Sequence, residues 1–289
     1  MQREETGAAI DAGRAFADLS DHRKVRVGGT DAVGWLHDLL TGDVAGLTPG
    51  TAGRSLLLTP TGRIRADVHV ARRDDDLLLL QAPDQPDHVG LLLATYVLSA
   101  DVDLEDATGS FALFAIPGEG ADLVGTPGTR PSILGDGIDV AVPAGKPAWR
   151  FEESLLRAGL VEVGPAALER WRIVAGRPRM GVDFTQDSLP AEAGLEDAID
   201  WTKGCFLGQE SAAKVRNLGH PPWLLVSCSF LGEAAPGDAV LADGAEVGHL
   251  TSVAVDDPRS SAIGRVRWEF AGRILTLPDR RILRVAPLA

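Results

Sequence analysis

From Trp223 to the C-terminus, short apolar segments alternate with residues that favour turns. Each segment is four to nine residues long, which suits a strand better than a helix. Strands this short, following one another closely, predict a small antiparallel β-barrel. The segments are 224–230, 238–241, 247–255, 262–268, 274–277 and 282–285.

Upstream of residue 223 the pattern mixes strands with helices, which indicates an α+β domain. Residues 54–58 and 64–71 predict strands around the turn Pro60-Thr61-Gly62. Helices are predicted after Thr30 as N-cap, at 87–98 and at 165–175. Residues 1–18 form a polar lead-in that could include a short helix. Residues 117–148, rich in Gly and Pro, are interpreted as loops and short strands of a second, interleaved subdomain.

The composition is that of a globular protein, with 45% hydrophobic and 24% charged residues among 289. No apolar run approaches the roughly 18–20 residues needed to span a bilayer, and the first five residues lack the pattern of a signal peptide. We therefore expect a cytoplasmic protein. The net charge of −13 disfavours broad, nonspecific binding to nucleic acid but allows a local basic patch.

The segment Lys203-Gly-Cys-Phe-Leu-Gly-Gln-Glu210 holds a thiol, an ammonium, an amide and a carboxylate within eight residues. A short helix is predicted to start near Gly208 and to end at Gly219. Cys205 would then precede a helix N-terminus, where the helix dipole and Lys203 favour a thiolate. The alternative is that Cys205 is a small buried apolar residue in a tight turn.

The other cysteine, Cys228, lies within a predicted strand and is expected to be a core thiol. Two cysteines fit neither a disulfide framework nor a zinc spacing, so both are expected to be free in a reducing cytosol.

The eight-residue segment resembles the signature of the YgfZ branch of the aminomethyltransferase-like, folate-binding superfamily. Three further motifs resemble the family in the same order: Thr41-Gly-Asp-Val44, Gly176-Arg-Pro178 and Leu189-Pro-Ala-Glu192. The resemblance implies interleaved α+β subdomains over residues 1–220 and a C-terminal antiparallel β-barrel over 221–289, arranged as a three-lobed ring. It also implies a role in assembly or repair of iron–sulfur enzymes.

The resemblance further implies tetrahydrofolate as cofactor. A pterin presents two adjacent N–H donors that one carboxylate can accept, and Glu192 is the first candidate, with helix capping as its alternative role. The aminomethyltransferases carry their pterin-binding glutamate where this chain has Val174. Of their paired aspartates, Asp67 matches the second, and Ala66 replaces the first. Asp67 is a candidate to face the ligand, with a surface ion pair as its alternative.

The remaining site candidates flank the thiol. Gln209 and Glu210 could orient Cys205, bind the cofactor or cap the helix. Lys203 could hold a carboxylate of the folate tail or lower the pKa of the thiol. Cys205 and Lys203 are the predicted catalytic pair.

Three functions follow as hypotheses. The first is an iron–sulfur maintenance factor working through Cys205, since one thiolate suits transient contact with cluster iron, whereas a resident cluster needs about four ligands. The second is a folate-dependent methyl- or aminomethyltransferase that could act on tRNA, and the third is a binding module without chemistry. Expected partners are iron–sulfur client proteins or assembly factors and a folate-type molecule. No membrane is expected, and the chain is expected to be a monomer.

Overall fold

A computed structural model describes residues 9–10, 12–123 and 125–288, without the side chains of residues 119, 121, 123 and 218. The described chain divides into two compact units. The first comprises the residues up to Leu58, Arg65–Leu168 and Ala198–Leu207. The second comprises Thr59–Ile64, Glu169–Asp197 and the chain from Gly208 onwards. The predicted domains 1–220 and 221–289 remain a prediction.

The described residues of the first unit include nine strands, three α-helices and a short 3₁₀-helix, Gly118–Leu123. In chain order the strands and α-helices are β1 (Ala15–Asp18), β2 (Arg23–Gly28), α1 (Ala32–Leu39), β3 (Ala52–Leu58), β4 (Ile64–Arg72), β5 (Leu77–Gln81), α2 (Val89–Ala94), β6 (Asp103–Asp106), β7 (Phe111–Pro117), β8 (Gly137–Pro143), α3 (Lys146–Arg157) and β9 (Val161–Glu162). Half of the predicted lead-in, residues 1–8 and 11, lies outside the described residues, and β1 is a strand that the sequence analysis did not predict.

Two sheets share the core of this unit. One has the order β3-β4-β5-β2-β6 and the other β8-β7-β1-β9. Leu78 and Leu80 of the first sheet pack with Leu113 and Ala115 of the second. The opposite face of the first sheet packs against α1 and α2, because alternate residues of a strand point to opposite faces. This arrangement confirms the predicted α+β class.

The helix ends differ from the sequence predictions. The predicted cap at Thr30 is wrong: the N-cap of α1 is Asp31, and the Thr30 hydroxyl donates instead to Asp101 Oδ2, 2.7 Å away. The helix predicted over 87–98 is shorter in the structure, where it is α2 (Val89–Ala94). Its N-cap is His88, whose Nδ1 accepts from the Gly90 amide. Helix α3 was not predicted. Among the described residues, no helix has both the length and the apolar character to cross a membrane.

The second unit is built around a closed barrel of six antiparallel strands. Three helices precede the barrel in the chain: α4 (Pro165–Val174), of which the part from Glu169 onwards belongs to this unit, α5 (Pro190–Ala193) and α6 (Gln209–Leu218). The barrel strands are β10 (Trp223–Leu231), β11 (Ala239–Ala242), β12 (Ala245–Ala254), β13 (Arg259–Arg267), β14 (Leu275–Thr276) and β15 (Ile282–Pro287), in the order β10-β13-β12-β11-β14-β15. The predicted C-terminal barrel is therefore confirmed. Cys228 is a buried free thiol in its core, as expected, and burial raises its pKa to about 12.

A buried ionic network joins α4 to the barrel within this unit. All five N–H groups of Arg172 donate hydrogen bonds: two to Glu169, and one each to Asp183, Ser252 Oγ and the Arg177 carbonyl. The Asp183 carboxylate is fully buried. Because each charge is paired and each donor used, the network fixes the position of α4 on the barrel strand β12.

Candidate functional site

The loop that carries Cys205 is anchored on the C-terminal end of α1, within the first unit. Thr41 binds it twice: its hydroxyl donates to the Ala198 carbonyl, at 2.7 Å, and its own carbonyl accepts from the Asp200 amide. At the other end of the loop, the Leu207 amide donates to the Asp38 carbonyl. The segment 198–207 is therefore held at both ends.

Lys203 adds a third anchor. Its ammonium donates to three backbone carbonyls at the end of α1: those of His37, of Leu40 at 2.6 Å and of Gly42 at 2.9 Å. The carbonyls of His37 and Leu40 lie at the C-terminal end of the helix, where backbone carbonyls lack intrahelical partners, and Gly42 follows shortly after it. Burial lowers the pKa of Lys203 to about 8, against the opposing effect of nearby acidic residues.

This geometry bears on the predicted roles of Lys203. An ammonium has three donors, and here all three are occupied. Lys203 could therefore bind a folate carboxylate or the thiolate only by giving up a carbonyl. In the described structure it is a brace for the loop, and its catalytic role remains a prediction.

Cys205 is exposed and lies between the anchored ends of the loop. The next residue, Phe206, is buried and makes an edge contact with Trp201, with the ring centroids 6.3 Å apart. Leu207 packs against the core formed with α1. The alternative that Cys205 is a buried apolar residue is wrong, because Phe206 and Leu207 fill that role instead. The helix expected near Gly208 begins at Gln209.

Asp67 is held by an arginine that the sequence analysis did not identify. The Arg54 guanidinium donates to both carboxylate oxygens, at 2.9 and 2.6 Å. The Asp67 side chain is 14% exposed. Ala66, on the opposite face of β4, is fully buried in the core. Asp67 therefore forms the ion pair named as its alternative role, and a role in binding a cofactor remains a prediction.

Glu192 lies in the second unit, on α5, and is mostly buried. Its Oε2 accepts from the Leu189 amide at 3.0 Å, which caps the helix. Among the described residues, Oε1 accepts no hydrogen bond. Glu192 therefore performs the capping role and still has one oxygen for a ligand.

The other predicted residues of the second unit are more exposed. Val174 ends α4 and is 51% exposed. Gln209 opens α6, and Glu210 follows it in an exposed ion pair with Lys214, at 3.0 Å. Glu210 therefore takes the helix-surface role that its position in the first turn allows. Its role toward Cys205 remains a prediction.

The sequence analysis did not identify the contacts that hold the Cys205 loop, of which one group is local and the other is long-range. Asp200 Oδ1 accepts from the Thr202 amide and hydroxyl and from the Lys203 amide, a turn that aspartate often forms with residues two and three positions on. That signal was readable in the sequence. The bonds of Thr41 span about 160 positions and left no local signal.

The part of the chain that the structure describes contains no group of three or more His, Cys, Asp and Glu side chains able to hold a metal ion.

Comparison with known proteins finds similarity to the superfamily that the motifs resemble. Residues 3–126 match the family model of the GCVT N-terminal domain. The chain is 28% identical, over 91% of its length and 80% of the relative's, to an aminomethyltransferase of Thermosynechococcus vestitus. It is also 28% identical to the Arabidopsis thaliana protein named "Putative transferase At1g60990, chloroplastic", over 84% of this chain. The chain spans only 62% of the length of that plant relative.

A solved structure shows the same fold. The crystal structure of glycine cleavage system aminomethyltransferase T from Bartonella henselae superposes over 99% of this chain and 88% of its own, with a TM-score of 0.83 at 22% identity. The fold is therefore GcvT-like. The family model over residues 3–126 and the aminomethyltransferase relatives show that the chain is similar to proteins of the GcvT superfamily.

Proposed function

We propose that this chain is a YgfZ-like protein of the GcvT superfamily that assists assembly or repair of iron–sulfur enzymes through Cys205. The observation that carries the proposal is an exposed thiol on a loop braced by Lys203 and Thr41. A braced loop presents its thiol in one position, which favours brief contact with a partner's cluster. A reducing, cytoplasmic setting is part of this proposal, because it keeps both cysteines free.

In this proposal the iron belongs to the client protein. The described residues offer one exposed thiol and no group of side chains able to hold a metal ion, whereas a resident cluster takes about four thiolate ligands. A single soft sulfur can contact an exposed iron and release it again. The partners are accordingly client proteins or assembly factors, and the chain acts as a monomer.

Tetrahydrofolate is the proposed cofactor, and Glu192 fits it. The carboxylate keeps one oxygen without a hydrogen-bond partner among the described residues while the other is fixed by the Leu189 amide. The fixed side chain would accept the pterin N–H donors without losing further rotamer freedom. Bound folate would supply a one-carbon carrier. Gln209 is the second candidate to bind it.

The first experiment is complementation. Cells lacking the native gene would express wild-type protein, Cys205→Ser or Cys228→Ala, and a cluster-dependent enzyme would be assayed. We expect wild type and Cys228→Ala to restore the enzyme's activity and Cys205→Ser to fail at equal protein level. Full rescue by Cys205→Ser would refute the proposed role of the thiol.

A second candidate is a tetrahydrofolate-dependent methyl- or aminomethyltransferase, with tRNA as one substrate. The similarity to proteins named aminomethyltransferase favours it. Val174 and Ala66 stand where those enzymes have carboxylates, and Asp67 is paired with Arg54, which weakens stabilisation of a developing cation. Titration with tetrahydrofolate tests this candidate: we expect Glu192→Gln to lower the affinity about tenfold. Unchanged affinity would exclude Glu192 from pterin binding.

A further inference from the structure

The outer face of the barrel carries a tryptophan flanked by two arginines. In the β10–β13 pairing Trp223 lies opposite Arg267, while Arg265 lies opposite Leu225. Val266, between the two arginines, is buried in the barrel core, so Arg265 and Arg267 point outward. Their guanidinium carbons lie 4.8 and 5.8 Å from the centroid of the Trp223 ring.

A second aromatic pair adjoins this tryptophan. His220 stacks on Trp268, with the ring centroids 3.7 Å apart and the planes 7° from parallel. The Trp268 amide donates to the carbonyl of Pro222, the residue that precedes Trp223. The His220–Trp268 stack therefore lies close to Trp223. Trp268 remains 44% exposed. We call His220, Trp223, Arg265, Arg267 and Trp268 the Trp–Arg cluster.

The charges of this cluster are not neutralised within the described chain. Arg265 and Arg267 have no carboxylate within ion-pair distance among the described residues. Other arginines of the same unit do: Arg170 pairs with Asp256 at 2.6 Å, and Arg281 with Asp279. A guanidinium lying over an aromatic ring keeps its N–H edges available for an anion. The cluster therefore presents two unpaired cations next to an exposed aromatic stack.

Few ligands match both features. A single arginine over a tryptophan is common surface packing and would carry no inference. Two unpaired guanidinium groups beside an exposed indole instead suit a chain that offers flat rings and negative charges at short intervals. Nucleic acid that is single-stranded has both, since its bases stack on aromatic side chains and its phosphates contact arginine.

We propose that the Trp–Arg cluster binds single-stranded nucleic acid, with a base stacked on Trp268 and phosphates at Arg265 and Arg267. The chain is acidic overall, with a net charge of −13, but the barrel segment has nearly equal numbers of arginines and acidic residues. Binding is therefore confined to the barrel. This inference goes beyond the proposed iron–sulfur role, does not depend on the transferase candidate with its tRNA substrate, and involves neither Cys205 nor Glu192.

The test is fluorescence anisotropy of the full chain with a labelled single-stranded RNA of about 12 nucleotides, within the range of known site sizes. Single-stranded DNA of the same sequence is the second probe. Trp268→Ala is expected to weaken binding of both at least about fivefold, the lower end for loss of one stacked base. The double variant Arg265→Gln/Arg267→Gln is expected to weaken binding and to reduce the salt slope by about 1.4, for two phosphate contacts.

Arg259→Gln is the matched control, because Arg259 is exposed at the far end of the same strand β13. Its binding is expected to equal that of wild type, and circular dichroism is expected to show all variants folded. The proposal is overturned if wild type binds neither probe at low salt. It is also overturned if Arg259→Gln weakens binding as much as the double variant, or if oligoglutamate competes as well as unlabelled RNA, because charge alone would then explain the binding.

Discussion

Lys203→Met tests whether the ammonium braces the Cys205 loop. The substitution keeps a similar apolar stem and removes three hydrogen bonds to backbone carbonyls. A hydrogen bond to a charged group contributes about 1.5–3 kcal/mol, so a simple sum would exceed about 4 kcal/mol. Burial of the ammonium, which lowers its pKa to about 8, offsets part of this gain. We expect a net loss of about 2–3 kcal/mol for opening of the loop.

Native-state hydrogen exchange measures this loss where it occurs. The amides of Asp200 and Leu207 donate to the carbonyls of Thr41, just after α1, and of Asp38, within α1, so their exchange reports opening of the loop. An opening that costs about 2–3 kcal/mol less raises their exchange rates about 30- to 150-fold. Lys214→Met is the control, because Lys214 forms only an exposed pair with Glu210 on α6. If Leu207 exchanged at the wild-type rate in Lys203→Met, the ammonium would not brace the loop.

Two further predictions concern stability. Arg172→Met leaves a buried carboxylate unpaired and is expected to lower the free energy of unfolding by about 3–5 kcal/mol in urea denaturation, whereas Arg157→Met, which breaks an exposed pair, should cost under about 1 kcal/mol. Equal losses would contradict the network. Burial raises the pKa of Asp139 to about 7, so the folded protein binds the extra proton between about pH 4 and 7. The contribution of Asp139 to the free energy of unfolding is present below pH 4 and is lost as the pH rises through 7, by up to about 4 kcal/mol. In Asp139→Asn, the free energy of unfolding should no longer fall with pH over this range.

The barrel was predictable from sequence because its information is local. Each strand is a short apolar segment closed by turn residues, and all six predicted segments agree with the structure to within about three residues at each end. The α-helix α3 was missed because Gly145 and Pro147 at its start resemble the loop residues before it. Only Phe151 and Leu155 of this helix are buried, so its apolar face is narrow.

The site was less predictable because its contacts are long-range. The Thr30 hydroxyl turns away from its helix toward Asp101, 71 positions later. Lys203 reaches carbonyls more than 160 positions earlier, and Asp67 is held by Arg54 on the neighbouring strand. The sequence showed which side chains carry chemistry. It could not show which of them already have partners, since that depends on the tertiary packing.

The most direct test of the central claim is reversible blocking of the Cys205 thiol. Methyl methanethiosulfonate would be applied to the folded protein, and mass spectrometry would locate the modification, which is expected on Cys205 because Cys228 is buried. The blocked protein would then be added to an extract of cells lacking the native gene, and the recovery of a cluster-dependent enzyme measured. We predict no recovery with blocked protein and full recovery once a reductant frees the thiol. Recovery by protein that is still blocked at Cys205 would contradict the account.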